Sequence, residues 1–339
     1  MKVQRLVWNP QSGRWNDDSK GVLENAQLVF LFSDRSILEQ GAAVPALREL
    51  LPSADLLGCS SAGEIDGIRV TEGTAIATAV RFDSTSLRLA REMDVTPTQS
   101  RAAGRRLAAA LTGPGLLHVF ILSDGLSVNG SELVTGLHEG LPASVAVTGG
   151  LSGDGERFER TWVCCTDPST GKDLVAQRMV AAVGFYGDRL KISYGSLGGW
   201  DPFGPDRVVT RAEGAVLYEL DEQPALELYR RYLGPHSENL PASALLFPLS
   251  LRVEGHDTPV VRTILGVDES RQSLTFAGDM PVGSRAQLMR ANFDRLIDGA
   301  VGAAKASSEG LNGCRPDLAV LISCVGRKLV LRQRIEEGK

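Results

Sequence analysis

At 339 residues the chain exceeds one ordinary domain of roughly 100–200 residues, and its 43% hydrophobic content supports a sizeable core. Lys plus Arg number 36 against 41 Asp plus Glu, a net charge of -5, and no basic stripe with interleaved aromatics stands out, which argues against a nucleic-acid partner. The longest apolar runs, such as Met179–Tyr186, fall far short of the roughly 20 residues of a spanning helix, and Met1–Pro10 has no apolar signal core, so the expectation is a cytoplasmic protein without a membrane partner.

In chain order, Met1–Gly21 is polar apart from Trp8 and Trp15 and reads as an arm (residues 1–24) that packs those rings on the domain behind it. Leu28–Phe32 predicts a buried strand, followed by a helix that the Leu51-Pro52 break ends. A second strand then runs into the small-residue turn of Leu56–Ile65, LLGCSSAGEI. Thr74–Phe82 and Ser86–Asp94 read as a hairpin, and Thr96-Pro97 opens a helix to Leu111.

From Leu116 the pattern starts again. Sliding the sequence by ninety positions lays Leu28–Glu64 over His118–Asp154 without a gap, and Val29, Phe30, Ser33, Asp34, Val44, Leu47, Glu49, Leu51, Pro52 and Gly63 each meet an identical residue. An internal duplication of a strand, helix, strand and turn is the simplest cause. In open α/β sheets ligands bind beyond the carboxyl ends of strands, so two copied turns facing each other would form one cleft. Leu318–Arg327, LAVLISCVGR, is a weaker third echo, with Ile322, Ser323 and Cys324 in the places of Leu122, Ser123 and Asp124.

Strands are expected over Phe158–Thr166, Gln177–Tyr186 and Leu190–Leu197. The glycine and proline run Gly198–Pro205 marks a boundary between domains at 25–203 and 204–339. Beyond it come strands at Val208–Ala212 and Ala215–Leu220, a helix from Asp221 to Gly234, and a meander over Ala244–Val253, Val260–Val267 and Ser273–Phe276. Arg285–Ser307 reads as a long helix, with Leu288, Phe293, Leu296, Ile297, Ala300 and Ala304 at helical spacing. The fold class is α/β: duplicated strand-helix-strand-hairpin units in a mixed-sheet N-terminal domain, with a smaller α/β C-terminal domain.

The segments LVFLFSDR, LLGCSSAGEI, VTGGLSGDG, GGWDPFGPDRVVTRAEGAVLYELDEQPALELYRRYLG, RTILGVDESRQSLTFAGDMPVGSRAQLMRANFDRLIDGA and LAVLISCVGRKLVLRQRIEE together resemble a FIST protein, with N- and C-terminal FIST domains. The resemblance implies a bacterial cytoplasmic sensory protein that binds a small ligand such as an amino acid and signals to a histidine kinase, diguanylate cyclase or similar output. Some similar proteins bind haem and report nitric oxide to a histidine kinase. Family members usually continue into a Tyr-Gly-Glu turn that is missing here, so the C-terminus is expected to be either shortened or divergent.

The candidate ligand site draws on Cys59, Ser60, Ser61, Gly63 and Glu64 from one turn and Thr148, Gly149 and Gly150 from the other. Small residues there would leave backbone N–H groups open to an anion, while Glu64 could hold an ammonium. Ser123 and Asp124, like Ser33 and Asp34, stand at strand ends, where they either face the cleft or cap the next helix. Arg327 could clamp a carboxylate. For haem, His236 and His256 are the available axial ligands of the second domain, each in a polar, turn-like context; the leading reading has no cofactor and no metal.

No G-x-S-x-G, G-x-G-x-x-G or P-loop pattern is present, so the reading is not an enzyme. Cys59 as a nucleophile would be a lesser alternative. Cys59, Cys164, Cys165, Cys314 and Cys324 are an odd number without Cys-x-x-Cys spacing, which points to reduced thiols rather than a disulfide framework or zinc site.

Overall fold

A computed structural model of the chain describes residues 1–17, 23–240, 242–253 and 259–331. The chain forms two compact units, the first from Met1–Tyr194 with Ser307–Ser323 and the second from Gly195–Ala306 with residues from 324 onward. The crossing at Tyr194 comes just ahead of the Gly198–Pro205 run.

In the first unit, β1 (Lys2–Asn9) and β2 (Arg14–Asp17) lead to β3 (Leu28–Ser33), α1 (Arg35–Gln40), α2 (Ala43–Leu50) and β4 (Asp55–Ser60). A small ribbon, β5 (Glu64–Asp66) with β6 (Arg69–Thr71), precedes β7 (Ala75–Arg81), β8 (Ser86–Glu92) and α3 (Ser100–Leu111). The second copy is β9 (Leu116–Ser123), α4 (Gly130–Gly140) and β10 (Ala146–Leu151), followed by β11 (Val163–Thr166), β12 (Asp173–Ala176) and β13 (Val180–Tyr186).

Two sheets result, one ordered β12-β11-β4-β3-β7-β1-β2 and the other β10-β9-β13-β8. Among the described residues, the only parallel pairs in them are the copied ones, β3 with β4 and β9 with β10. Alternation along each strand explains the layers. Leu28, Phe30, Leu57 and Cys59 of one sheet meet Phe120, Leu122, Ala181 and Val183 of the other in a shared core. Val29, Leu31 and Leu56 point the other way, onto Ile37, Leu38, Val44 and Leu47 of α1 and α2. Val119 and Ile121 likewise face Leu107, Leu111, Leu133 and Leu137 of α3 and α4. The order is helix, sheet, sheet, helix. Phe30 and Phe120, equivalent residues of the two copies, touch edge to face with ring centroids 5.4 Å apart.

Several expectations change in three dimensions. The N-terminal segment is not an arm: β1 lies between β7 and β2 in the larger sheet, and Trp8 and Trp15 are buried in its helix-side core. The helix of the first copy is split, because Gly41 closes α1 in a left-handed cap. β7 and β8 are not a hairpin; β7 pairs with β3 and β1, and β8 with β13, so the turn between them passes from one sheet to the other. Leu190–Leu197 and Leu318–Cys324 form no strand.

The second unit opens with β14 (Trp200–Pro202), β15 (Arg207–Glu213), β16 (Val216–Leu220), β17 (Gln223–Pro224) and α5 (Ala225–Leu233). It continues through β18 (Leu249–Arg252), β19 (Val260–Arg262), β20 (Ile264–Asp268), β21 (Ser273–Phe276), β22 (Arg285–Ala291), α6 (Phe293–Glu309) and α7 (Val325–Leu331). The helix expected from Arg285 starts only at Phe293. Ala286, Leu288 and Met289 are buried, and β22 is held by β18, β15 and β14, so sheet pairing overrides the helical spacing. Tyr229 of α5 is buried in this unit's core and donates its hydroxyl to Phe247 O at 2.8 Å. Gly199 fits closely on α6: a Cβ there would fall 2.2 Å from Arg295 O.

Helices α3 and α4 meet through glycines. A Cβ on Gly104 would lie 2.3 Å from Leu133 O, and one on Gly136 would lie 2.0 Å from Arg101 O. Gly104→Ala or Gly136→Ala is therefore expected to push the helices apart and lower stability by about 1–3 kcal/mol, despite alanine's better helix propensity, as read from urea unfolding.

Candidate functional site

The two copied turns meet. Gly153 N–H donates to Ser60 O at 2.9 Å, and Ser60 Oγ donates to Gly153 O at 2.8 Å. Ser60 also exchanges bonds with Trp162, its N–H donating to Trp162 O and its Oγ accepting from Trp162 N–H. The copies use one local design: Ser61 N–H donates to Ser33 O, and Ser152 N–H donates to Ser123 O. The second turn is accordingly formed by Ser152–Gly155, one residue later than simple sliding of the sequence implies.

This contact changes the expected chemistry. The N–H groups of Ser60, Ser61, Ser152 and Gly153 all have carbonyl acceptors, and Gly63 N–H donates to Ser61 Oγ at 3.3 Å. The backbone nest expected to receive an anion is filled by the opposite turn and by the preceding strand end. Carboxylates are what the junction concentrates. Glu64 is buried and accepts from Ser61 Oγ at 2.7 Å. Asp154 is buried and accepts from Arg35 Nη1 at 2.8 Å, from Arg157 Nε at 2.9 Å, and from the N–H groups of Glu159 and Arg160 at 3.0 Å. Burial works to raise the Asp154 pKa, but these donors outweigh it and hold the carboxyl below its ordinary range.

Arg35 and Arg157 escaped the sequence reading. Arg35 is buried, follows the Ser33-Asp34 pair, and joins α1 of the first copy to the turn of the second, with Glu159 at 3.2 Å as a further partner. The readable signal is asymmetry between copies. Its counterpart is Gly125, where a Cβ would lie 2.0 Å from Ser152 O. Arg157 is half-exposed and reaches Asp34 at 3.9 Å as well as Asp154.

The other expected residues separate into roles. Asp34 accepts from Ser36 N–H and Oγ, which makes it the cap of α1. Asp124 accepts from the N–H groups of Leu126, Ser127 and Arg178, and Ser123 Oγ donates to Asp124 O. Thr148, Gly149 and Gly150 belong to β10 rather than to the turn. Thr148 Oγ1 lies 2.8 Å from His118 Nε2, and Gly149, at φ 151°, leaves no room for a Cβ against Ile121 O.

Arg327 is in α7 of the second unit, where Nη2 donates to Leu197 O at 3.1 Å and burial lowers its pKa. His236 is exposed and packs against the Phe247 ring at 5.4 Å; His256 lies outside the described residues.

Cys59 is a core thiol. Burial, reinforced by Glu64, pushes its pKa up to about 12, so the thiolate that a nucleophile requires is disfavoured. Cys164 and Cys165, beside it on β11, are buried too, and burial raises both. Among the described residues no group of three or more His, Cys, Asp or Glu side chains could hold a metal ion, and no helix is long and apolar enough to cross a membrane.

Comparison with known proteins agrees with this architecture. The FIST N domain matches residues 27–223 and the FIST C domain matches residues 225–338, so the chain belongs to the FIST family of sensory domains. The second match runs to residue 338, over the stretch where the Tyr-Gly-Glu turn is missing. An uncharacterized protein from each of two Mycobacterium tuberculosis strains is 27% identical over 317 residues, with 88% of this chain and 77% of the relative covered.

Two outcomes follow from these residues. Burial lowers the His118 pKa from 6.5 to about 4, so the folded state binds fewer protons than the unfolded chain between those values. Its contribution is complete above pH 6.5 and lost as pH falls toward 4. Stability should drop by about 2 kcal/mol from this group between pH 7 and 5, and His118→Gln should flatten that part of the urea-midpoint profile. Arg35→Met, which leaves Asp154 without its cross-copy partner, should lower unfolding free energy by about 3 kcal/mol.

Proposed function

We propose that the junction of the duplicated turns receives a small zwitterionic metabolite, an amino acid in the simplest case, and that the protein reports its presence to a separate output protein such as a histidine kinase or diguanylate cyclase. The carrying observation is the direct Ser60–Gly153 contact, which brings Glu64 and Asp154, with the arginines around Asp154, to one place.

A zwitterion needs an acceptor for its ammonium and a donor for its carboxylate. Glu64, oriented by Ser61 Oγ, supplies the first. Arg157 supplies the second: it is half-exposed, it contacts Asp154 through Nε, and its Nη2 lies 3.9 Å from Asp34, a longer contact that an arriving carboxylate would replace. The backbone donors are occupied, so the anionic end is assigned to this side chain rather than to the turn itself.

Ligand entry would compete with the bonds between the copied turns, which gives occupancy a structural consequence within the first unit. Melting temperature measured across a panel of the twenty amino acids should rise for one chemical class, and Glu64→Gln and Arg157→Gln should each remove the rise. A flat response of the native protein over the panel, with a normal unliganded melt, would overturn the amino-acid reading.

A further inference from the structure

The two copies differ at one edge. β4 is covered on its outer side by antiparallel β11, with Cys59 opposite Val163 and Gly58 opposite Cys164. Its counterpart β10 pairs, among the described residues, with β9 alone. Exposed sheet edges are ordinarily shielded by charge, proline or a covering segment. β10 reads Ala-Val-Thr-Gly-Gly-Leu and has neither charge nor proline.

Beside that edge lies a segment with the opposite deficiency. Leu318–Ser323, LAVLIS, ends the Ser307–Ser323 stretch, which belongs to the first unit, and the chain from Cys324 onward belongs to the second. Leu318 packs against the core between the two sheets. Val320, Leu321 and Ile322 are 37%, 49% and 49% exposed and in no regular structure. A run rich in Val, Leu and Ile left in water is a strand composition without a sheet. The two deficiencies adjoin: a Cβ on Gly150 would lie 3.0 Å from Ile322 Cγ2.

We propose that Leu318–Ser323 is the outer neighbour that β10 lacks, a strap that closes antiparallel onto the edge and adds a fifth strand to the four-stranded sheet. The duplication supplies the register. Ser61 and Ser152 make the same bond in the two copies, so Gly150 takes the place of Cys59. With Ile322 opposite Gly150, as Val163 is opposite Cys59, Leu321 faces Leu151 and Ser323 faces Gly149. Gly149 and Gly150 leave the edge bare of side chains, which suits a bulky neighbour. β10 runs directly into Ser152 and Gly153, and the chain beyond Ser323 runs directly into α7. Closing the strap therefore holds the turn that touches Ser60 and fixes the backbone entering the second unit. This inference rests on the duplication and stands apart from any ligand.

The test uses the full chain with Cys314→Ser and Cys324→Ser, which remove the exposed thiols. Leu151→Cys with Leu321→Cys should form an intramolecular disulfide under mild oxidation, at least tenfold faster than Leu151→Cys with Val320→Cys. In the unsubstituted protein, amide hydrogens in Val320–Ser323 and on β10 should exchange at least tenfold more slowly than in an unstructured peptide. Equal rates for the two cysteine pairs, exchange of Val320–Ser323 at peptide rates, or a disulfide that joins two molecules would each overturn the proposal.

Discussion

Everything in the first unit depends on two copies of one strand-helix-strand unit being packed sheet to sheet, with Phe30 against Phe120 at their shared core. Neither copy can bury both faces of its strands alone. Each has helices for one face and needs the other copy for the second. Once the sheets are stacked, the carboxyl ends of the copied parallel pairs are brought to the same place, and Ser60 and Gly153 bond directly. The site is thus a consequence of core packing.

Symmetry explains what the copies share, and its failures mark where chemistry is concentrated. Ser33 and Ser123, Asp34 and Asp124, and Ser61 and Ser152 do the same structural work in both copies, bonding to backbone at strand ends and turns. Arg35 has only a glycine for a counterpart, and it carries the buried ion pair across the copies. Buried charges persist only with partners, and Asp154 collects donors from α1, from its own turn and from the backbone that follows. The junction is therefore a tightly bonded, charge-rich seam rather than the open, anion-binding turn that small residues suggest when read alone.

Cys59 shows how burial decides reactivity. In sequence it lies in a small-residue turn, where a nucleophile would be at home. In the fold it is the penultimate residue of β4, faces the shared core, and has its thiol pushed up to about 12 by desolvation and a nearby carboxylate. His118, in the equivalent sheet, is kept neutral by the same physical cause and is satisfied by Thr148.

Resemblance of whole motif runs pointed to the family, and local pattern and self-similarity in the amino-acid sequence were enough to reveal the duplication, the α/β class, most strands of the first unit and the helix after Pro224. These rest on interactions between residues near in the chain, or on a repeat that survives as identity. Pairing partners were decided only by tertiary structure. Ala75–Arg81 and Ser86–Glu92 look like a hairpin but enter different sheets, and Arg285–Ala291 has helical spacing but is drawn into a ladder with three strands. The occupied N–H groups of the turns, the Arg35–Asp154 bridge and the bond from Arg327 to Leu197 O were equally illegible, because each joins residues far apart in sequence. Spacing along one chain records which face a side chain takes, while the partner waiting on that face is set by how the sheets stack.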